Sequence, residues 1–153
     1  MDVIDLIPNS MTFRIVTTLD LADGDDTPAG FTGRVRRHGA GRPVSVAWYH
    51  RGLLQNPGRQ HPAFRSFRAA GQVKFEMYYT DGSLQDPNAT TAAVRGYYAG
   101  GGLHYEERWF RGLRQDGLDG TAAIRKWRAE GSLRHELHYE RGARSSIKSS
   151  AGR

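Results

Sequence analysis

The stretch GSLRHELHYERG, residues 131–142, is one of four related segments that begin and end with glycine. The others read GRPVSVAWYHRG at 41–52, GQVKFEMYYTDG at 71–82 and GGLHYEERWFRG at 101–112, a spacing of 30 residues. The shared glycines are Gly41, Gly71, Gly101 and Gly131 at the start, and Gly52, Gly82, Gly112 and Gly142 at the end. An aromatic residue precedes each closing glycine by three positions, as Tyr49, Tyr79, Trp109 and Tyr139. So many matching columns at one period indicate an internal repeat of four units.

Each unit has the pattern of a β-hairpin. Aromatic and β-branched runs flank glycine-containing turns, and Asp81-Gly82 is a preferred type I′ pair. The stretches QNPGRQHP at 55–62 and QDPNATTA at 85–92 contain Pro, Asn or Gly and are typical of loops. The sequence therefore predicts an all-β fold, an antiparallel meander of about four repeated hairpins in an elongated, twisted sheet.

The half-unit before each of the last three segments supplies a register. It reads AFRSFRAA from Ala63, AVRGYYAG from Ala93 and AIRKWRAE from Ala123. If Ala70-Gly71 is a two-residue turn, arginine lies opposite glutamate in three hairpins, as Arg65–Glu76, Arg95–Glu106 and Arg125–Glu136. Each cross-strand ion pair contributes only about 0.2–1 kcal/mol, but together they specify the register. The first unit departs from the pattern, with Val46 in the glutamate column, as terminal repeats commonly do.

This register separates two faces of the predicted sheet. The face expected to be buried carries Phe64, Val73, Phe75, Met77 and Tyr79 in one unit, and Ile124, Leu133, Leu137 and Tyr139 in another. The charged face carries six candidate partner-binding residues, Phe67, Tyr97, Trp127, Tyr78, Arg108 and His138. Two interpretations of its aromatic residues stay open. The rings stack on neighbouring guanidinium groups to shield them, or they anchor a partner, since aromatic residues and arginine dominate interface hot spots.

Charge and composition divide the chain further. Residues 1–30 hold six Asp and one Arg, a net charge of −5, whereas 31–153 hold 21 basic and 10 acidic residues, a net charge of +11. The acidic segment is either a free arm or docks on its own basic body. Alternation from Phe13 to Leu21 predicts a strand that pairs with the first hairpin. We therefore expect an acidic N-terminal segment (1–30), a hairpin repeat domain (31–142) and a flexible basic tail (143–153).

The pattern G-x-L-x-x-E-x-x-Y-x-x-G in 131–142 resembles MORN-type repeats, most closely the variant found in bacterial and phage proteins that include antitoxins. The resemblance covers about residues 33–142, with a longer period and sparser glycine than the usual MORN pattern. It implies twisted sheets of successive hairpins that act as interaction scaffolds, some in toxin–antitoxin pairs and others at membranes. Such scaffolds change partners by changing surface residues.

Several classes of protein are disfavoured. The chain has no cysteine, no run near the ~18 apolar residues of a membrane span, and no basic region at its start. His135 and His138 are three residues apart, so on a strand they point to opposite faces and cannot chelate one metal ion. We expect a cytoplasmic protein of a bacterial or phage-infected cell, without enzymatic activity, metal or cofactor.

Two binding functions compete. The first is a protein-binding scaffold, an antitoxin-like or phage-encoded inhibitor of a host protein, which could also oligomerise through its sheet edges. The second is a basic nucleic-acid-binding module in which Phe67, Tyr97 and Trp127 stack on bases. The repeated arginines are expected to pair with glutamate, and only three of the 22 basic residues are lysine, which favours the first.

Overall fold

The computed structural model describes the backbone of residues 3–9 and 12–149 and the side chains of 17–149. All secondary structure in these residues is β. The strands are β1 (Val3–Asn9), β2 (Thr12–Val16), β3 (Thr18–Ala22), β4 (Gly33–Gly39), β5 (Arg42–His50), β6 (Leu53–Leu54), β7 (Phe64–Phe67), β8 (Val73–Met77), β9 (Tyr79–Thr80), β10 (Ser83–Leu84), β11 (Val94–Tyr97), β12 (Leu103–Glu107), β13 (Trp109–Phe110), β14 (Leu113–Arg114), β15 (Ile124–Trp127), β16 (Leu133–Glu140) and β17 (Ala143–Ser149).

One open sheet contains most of the strands. Its order is β17-β16-β15-β12-β11-β8-β7-β5-β4-β3, and β6 adds to the end of β5. Strands β1 and β2, β9 and β10, and β13 and β14 form separate two-stranded ladders. Neighbours in the main sheet are antiparallel except β3 and β4, which are parallel. The strands from β4 to β17 thus form an antiparallel meander, as expected, and β3 pairs with the first hairpin, as expected, but in parallel, so the sheet is mixed.

The N-terminal stretch divides where a single strand from Phe13 to Leu21 was expected. Strand β2 pairs with β1, and β3 pairs with β4 at the edge of the main sheet. The pairing is parallel because residues 23–32 carry the chain back before β4 begins, and parallel neighbours need such a return. This connection is held by a hydrogen bond from the Asp23 amide to the His38 carbonyl and another from the Arg37 guanidinium to the Thr27 hydroxyl.

In each of the three hairpins β7–β8, β11–β12 and β15–β16, arginine lies opposite glutamate in the register expected from the sequence. The turn itself is longer than expected. The Gly71 amide donates to the Arg68 carbonyl at 2.9 Å and the Arg68 amide to the Gln72 carbonyl at 2.8 Å, which closes a three-residue loop. A bulge between Ser66 and Phe67 shifts the register by one residue and restores the expected pairing beyond it.

The bulge also changes which residues meet near the turn. It places Val73 opposite Phe67, and Leu133 opposite Trp127. An unbroken two-residue hairpin would put the members of these pairs on opposite faces. The predicted division into two faces therefore holds in the middle of each hairpin and fails beside its turn.

The closing turns follow the type I′ geometry expected for Asp81-Gly82. Asp81 has a φ of 47° and Gly82 a φ of 81°, and the equivalent pairs ending at Gly52, Gly112 and Gly142 share this combination. Two positive φ angles in succession match the right-handed twist of the flanking strands.

Two rows of side chains cross the main sheet. The charge row consists of the directly paired residues Asp20, Arg36, Val46, Arg65, Glu76, Arg95, Glu106, Arg125, Glu136 and Lys148. The apolar row consists of Leu19, Val35, Ala47, Phe64, Met77, Val94, Glu107, Ile124, Leu137 and Ile147. The two rows are adjacent along every strand, so they point to opposite faces of the sheet.

Burial does not follow the predicted faces. The apolar row contains the buried residues Val35, Ala47, Val94 and Ile124, but the charge row also contains the buried carboxylates of Glu76 and Glu106. Phe64 and Phe75, expected inside, are half-buried and stack at 5.6 Å between ring centroids. Both faces are thus partly covered.

Residues 143–149 form the edge strand β17, where the sequence predicted a flexible tail over 143–153; residues 150–153 lie outside the described part of the chain. They pair with β16 from His135–Ser149 to Glu140–Ala143. Lys148 lies opposite Glu136 and Ile147 opposite Leu137, so β17 extends both rows. The physical reason is that, without β17, one side of β16 would present unpaired backbone groups from His135 to Glu140.

Candidate interaction surface

Phe67, Tyr97 and Trp127 on the charged face are half-buried, and Tyr97 and Trp127 contact charged neighbours. The Tyr97 hydroxyl donates to Glu76 Oε1 at 2.8 Å, and the Arg125 guanidinium lies 5.2 Å from the Trp127 ring centroid. Burial, followed by the bond to Glu76, raises the pKa of Tyr97 to about 12. For Tyr97 and Trp127, these contacts favour the interpretation in which the rings pack on neighbouring charged groups of the sheet.

The arginines of the charge row are held by buried carboxylates. Arg65 Nε lies 3.1 Å from Glu76 Oε2. Glu106 lies between two arginines, with Arg95 Nε at 3.9 Å and Arg125 Nε at 2.8 Å. Arg125 thus bonds to a glutamate of the preceding hairpin, whereas the sequence paired it with Glu136 of its own.

Three of the candidate partner-binding residues lie inside the molecule. Tyr78 and Arg108 are only 5% and 3% exposed, and His138 is largely covered. Arg108 Nη1 lies 3.3 Å from Asp86 Oδ2 and donates to the Ala89 carbonyl at 3.1 Å. His138 Nδ1 lies 2.7 Å from Asp116 Oδ2. Tyr78 and Arg108 therefore have almost no surface to offer a partner.

Asp86 and Asp116, the partners of Arg108 and His138, belong to a set of loop residues that the sequence analysis did not predict. One side-chain oxygen in each loop accepts two backbone amides, one at the end of its own loop and one in the following hairpin. The bonds are Asn56 Oδ1 with Ala63 and Tyr79, Asp86 Oδ1 with Ala93 and Trp109, and Asp116 Oδ1 with Ala123 and Tyr139, all at 2.8–3.0 Å. We call each site a junction, and name it by Asn56, Asp86 or Asp116.

A glutamine before each junction residue extends the contact. Gln55, Gln85 and Gln115 each accept the amide of the residue before a closing glycine, from Asp81, Arg111 and Arg141, at 2.7 Å. The signal was present in the sequence as Gln-Asn at 55–56 and Gln-Asp at 85–86 and 115–116. Aligning the loops as well as the hairpins would have found it.

A groove runs across the Asp86 and Asp116 junctions. Its volume is about 670 Å³, and its lining includes Trp109, Phe110, Leu113 and Leu118, with Asp86, Arg108, Arg111, Asp116, Glu140 and Arg141 around them. Leu118 is fully exposed, and Phe110 and Leu113 are about half exposed. The Arg111 guanidinium lies 5.2 Å from the Phe110 ring centroid. The groove thus combines exposed apolar side chains with the exposed charges of Arg111, Arg141 and Glu140.

The apolar lining is a local departure from the otherwise recurring pattern. Thirty residues earlier, the places of Phe110, Leu113 and Leu118 are taken by polar residues, namely Thr80, Ser83 and Asn88. The junction bonds beneath are the same at both places. The groove therefore differs from the equivalent surface 30 residues earlier in its exposed side chains and not in the junction hydrogen bonds beneath them.

No protein-family model, curated protein or solved structure matches the chain. Among the described residues, no group of three or more His, Asp or Glu is placed to hold a metal ion, and no helix is long and apolar enough to cross a membrane.

Proposed function

We propose that the protein is a non-enzymatic, MORN-type scaffold of four hairpin units that binds another protein through the groove. The observation that carries this proposal is the exposed apolar lining of the groove. A cluster of Phe110, Leu113 and Leu118 at one place on a polar surface is the usual mark of an interaction site.

The repeat architecture is supported by recurring elements. Strands β7, β11 and β15 begin at Phe64, Val94 and Ile124, each 30 residues after the last. The three junctions use the same acceptor atoms for equivalent amides. A scaffold of this kind keeps its internal bonds and varies its surface, and the groove is such a variation.

The groove fits a protein segment with apolar side chains followed by acidic residues. Phe110, Leu113 and Leu118 offer an apolar contact of limited size. Arg111 and Arg141 are exposed at the rim, and residues 31–153 carry a net charge of +11. Complementary charge would orient such a segment and speed its association. An antitoxin-like inhibitor that binds a host protein fits this description.

A display selection with random peptides tests the proposal directly. We expect peptides with apolar residues beside Asp or Glu to be enriched on the wild-type protein. The triple variant Phe110→Thr/Leu113→Ser/Leu118→Asn carries the residues found 30 positions earlier. It should bind these peptides at least tenfold more weakly, a loss of about 1.4 kcal/mol in binding free energy. Enrichment that survives the triple variant would contradict the proposal.

Leu53→Ser is the matched control. Leu53 occupies the position of Leu113 in the first unit and is equally exposed, but it is not part of the groove lining. This variant should bind the selected peptides as the wild type does. Trp127→Ala tests the aromatic residues of the charged face in the same assay, and normal binding would assign them a structural role.

Nucleic-acid binding is the competing proposal, and the charge row argues against it. Arg65, Arg95 and Arg125 already lie against Glu76 or Glu106. Binding of a labelled oligonucleotide at about 50 mM and about 200 mM salt distinguishes the two functions, since phosphate contacts produce a steep salt dependence. We expect weak binding at both concentrations.

A further inference from the structure

The two edges of the main sheet carry opposite charge. Strand β17 contains Arg144 and Lys148 and no acidic residue. Strand β3 contains Asp20, and the exposed loop after it contains Asp23, Asp25 and Asp26. Edge strands present unpaired backbone groups, and charge on such edges commonly decides what can pair with them.

Neither edge has a second neighbour within the described residues. Strand β17 pairs with β16 and is exposed along its whole length, including Ile147 at 52%. Strand β3 pairs with β4, whereas β1 and β2 pair with each other. Each edge therefore has one side with no paired strand among the described residues.

The two rows of the sheet end in residues that complement each other. The charge row begins with Asp20 on β3 and ends with Lys148 on β17. The apolar row begins with Leu19 on β3 and ends with Ile147 on β17. If a second sheet continued the first, opposite charges would meet in one row and apolar side chains in the other.

Strand direction allows this continuation. Strand β3 is parallel to β4, and eight antiparallel steps lead from β4 to β17, so β3 and β17 run in the same direction. A translated copy therefore places its β3 parallel to β17. One parallel register then sets Lys148 beside Asp20 of the second copy and Ile147 beside its Leu19. The pair β3–β4 already has this parallel geometry within the chain.

We propose that copies of this protein assemble head to tail, with β17 of one copy pairing with β3 of the next. Such a heterologous contact joins different surfaces and extends without closing unless the rotation between copies happens to form a ring. A two-fold dimer is disfavoured, because β17 against β17 would bring two basic strands together and β3 against β3 two acidic ones. This assembly is independent of the groove.

Sedimentation velocity of the full chain over a range of concentrations tests the assembly. We expect species larger than dimers to grow with concentration and to shrink when salt rises from about 50 to about 500 mM, because the contact pairs exposed charges. Lys148→Glu and Asp20→Lys should each weaken association about tenfold or more. A protein that stays monomeric, or that stops at a dimer, would overturn the proposal.

Mixing the two single variants provides the strongest test. Each variant alone has two edges of the same sign, but a mixture again offers complementary edges at every contact. We expect the mixture, and the double variant Asp20→Lys/Lys148→Glu, to regain association. If the variants assemble alone like the wild type, or the mixture does not recover, the edges do not mediate assembly.

Lys74→Glu is the matched control for net charge. Lys74 is exposed on β8 in the interior of the sheet, so this change should leave association unaltered. Circular dichroism spectra and melting temperatures of all variants check that they remain folded. Because Asp20 also bonds to Arg36 and His38 at its own edge, recovery in the mixture shows that loss of association was not loss of folding.

Discussion

The Asn56 and Asp86 junctions have the same backbone contacts but different charge. Asn56 and Asp86 each accept two amides through one oxygen. Beside Asn56 the inward-facing residue of the next hairpin is the neutral Tyr78, whereas beside Asp86 it is Arg108. At the Asp116 junction the corresponding residue is His138.

This difference shows that a junction can accept its two backbone amides without carrying a charge. An amide oxygen serves the two backbone donors as well as a carboxylate does. A carboxylate occurs where the next hairpin provides a cation or a histidine, and an amide where it does not. Burial raises the pKa of Asp86 despite the bonds from Trp109, Ala93 and Arg108, so its ionised form is costly without Arg108.

Removal of Asp86 should have the largest effect. Asp86→Ala leaves two amides without their acceptor and Arg108 buried without its counter-ion, and should lower the free energy of unfolding by about 3–5 kcal/mol. Asp116→Ala should cost less, about 1–3 kcal/mol, because it leaves a largely covered imidazole and not a buried guanidinium, which is always charged. Urea unfolding at neutral pH measures both, and equal losses would contradict the distinction.

Transplanting the neutral junction should have an intermediate effect. Arg108→Tyr alone leaves the Asp86 carboxylate buried without its cation and should cost about 2–4 kcal/mol. The double variant Asp86→Asn/Arg108→Tyr copies the Asn56 junction and should recover most of that loss, since neutral replacements of buried ion pairs are often tolerated. A double-mutant cycle measures the coupling, and strict additivity would refute it.

The glutamines test what the junctions share. Gln55→Ala, beside the neutral Asn56 junction, and Gln85→Ala, beside the Asp86 junction, each remove one acceptor from an exposed turn, at Asp81 and Arg111 respectively. Both should lower stability by a similar amount, about 0.5–1.5 kcal/mol, whatever the charge of the junction next to them. Thermal unfolding of the two variants side by side checks this. A clear difference between the two losses of stability would show that the charge of the junction affects the turn.

Removal of the exposed Asp20 carboxylate at the sheet edge should have the smallest effect on stability. Hydrogen bonds from Arg36 and His38 lower the pKa of Asp20, so its contribution is present above its ordinary value of 3.8 and is lost as pH falls below it. Asp20→Asn should therefore cost less than about 1 kcal/mol at neutral pH, because exposed ion pairs are weak. Unfolding followed from about pH 6 to about pH 2 should show wild type and variant converging in acid. A difference independent of pH would assign the effect to something other than ionisation.

Much of the sheet could be predicted because its signals are local or recur at a fixed spacing. The aromatic and β-branched runs predicted the hairpin strands, the glycines indicated where the turns lie, and the repeated Arg and Glu columns supplied the cross-strand register. The groove could not be predicted in the same way. Phe110 and Leu118 have no large apolar counterpart at the equivalent positions of the other units, and only the folded backbone brings them and Leu113 to one surface.

The amino-acid sequence by itself determined that this chain forms hairpins, near which glycines they turn, and which residues face each other in the middle of a hairpin. These properties depend on backbone conformation and on residues within about a dozen positions. Only the tertiary structure decided that β3 pairs in parallel, that Arg125 bonds to Glu106, and that Tyr78 and Arg108 are buried. Each of these depends on how separate strands or successive hairpins pack. In a sheet, a side chain such as Arg125 has one neighbouring strand in its own hairpin and another in the adjacent hairpin, and the sequence of one hairpin does not decide which of the two it contacts.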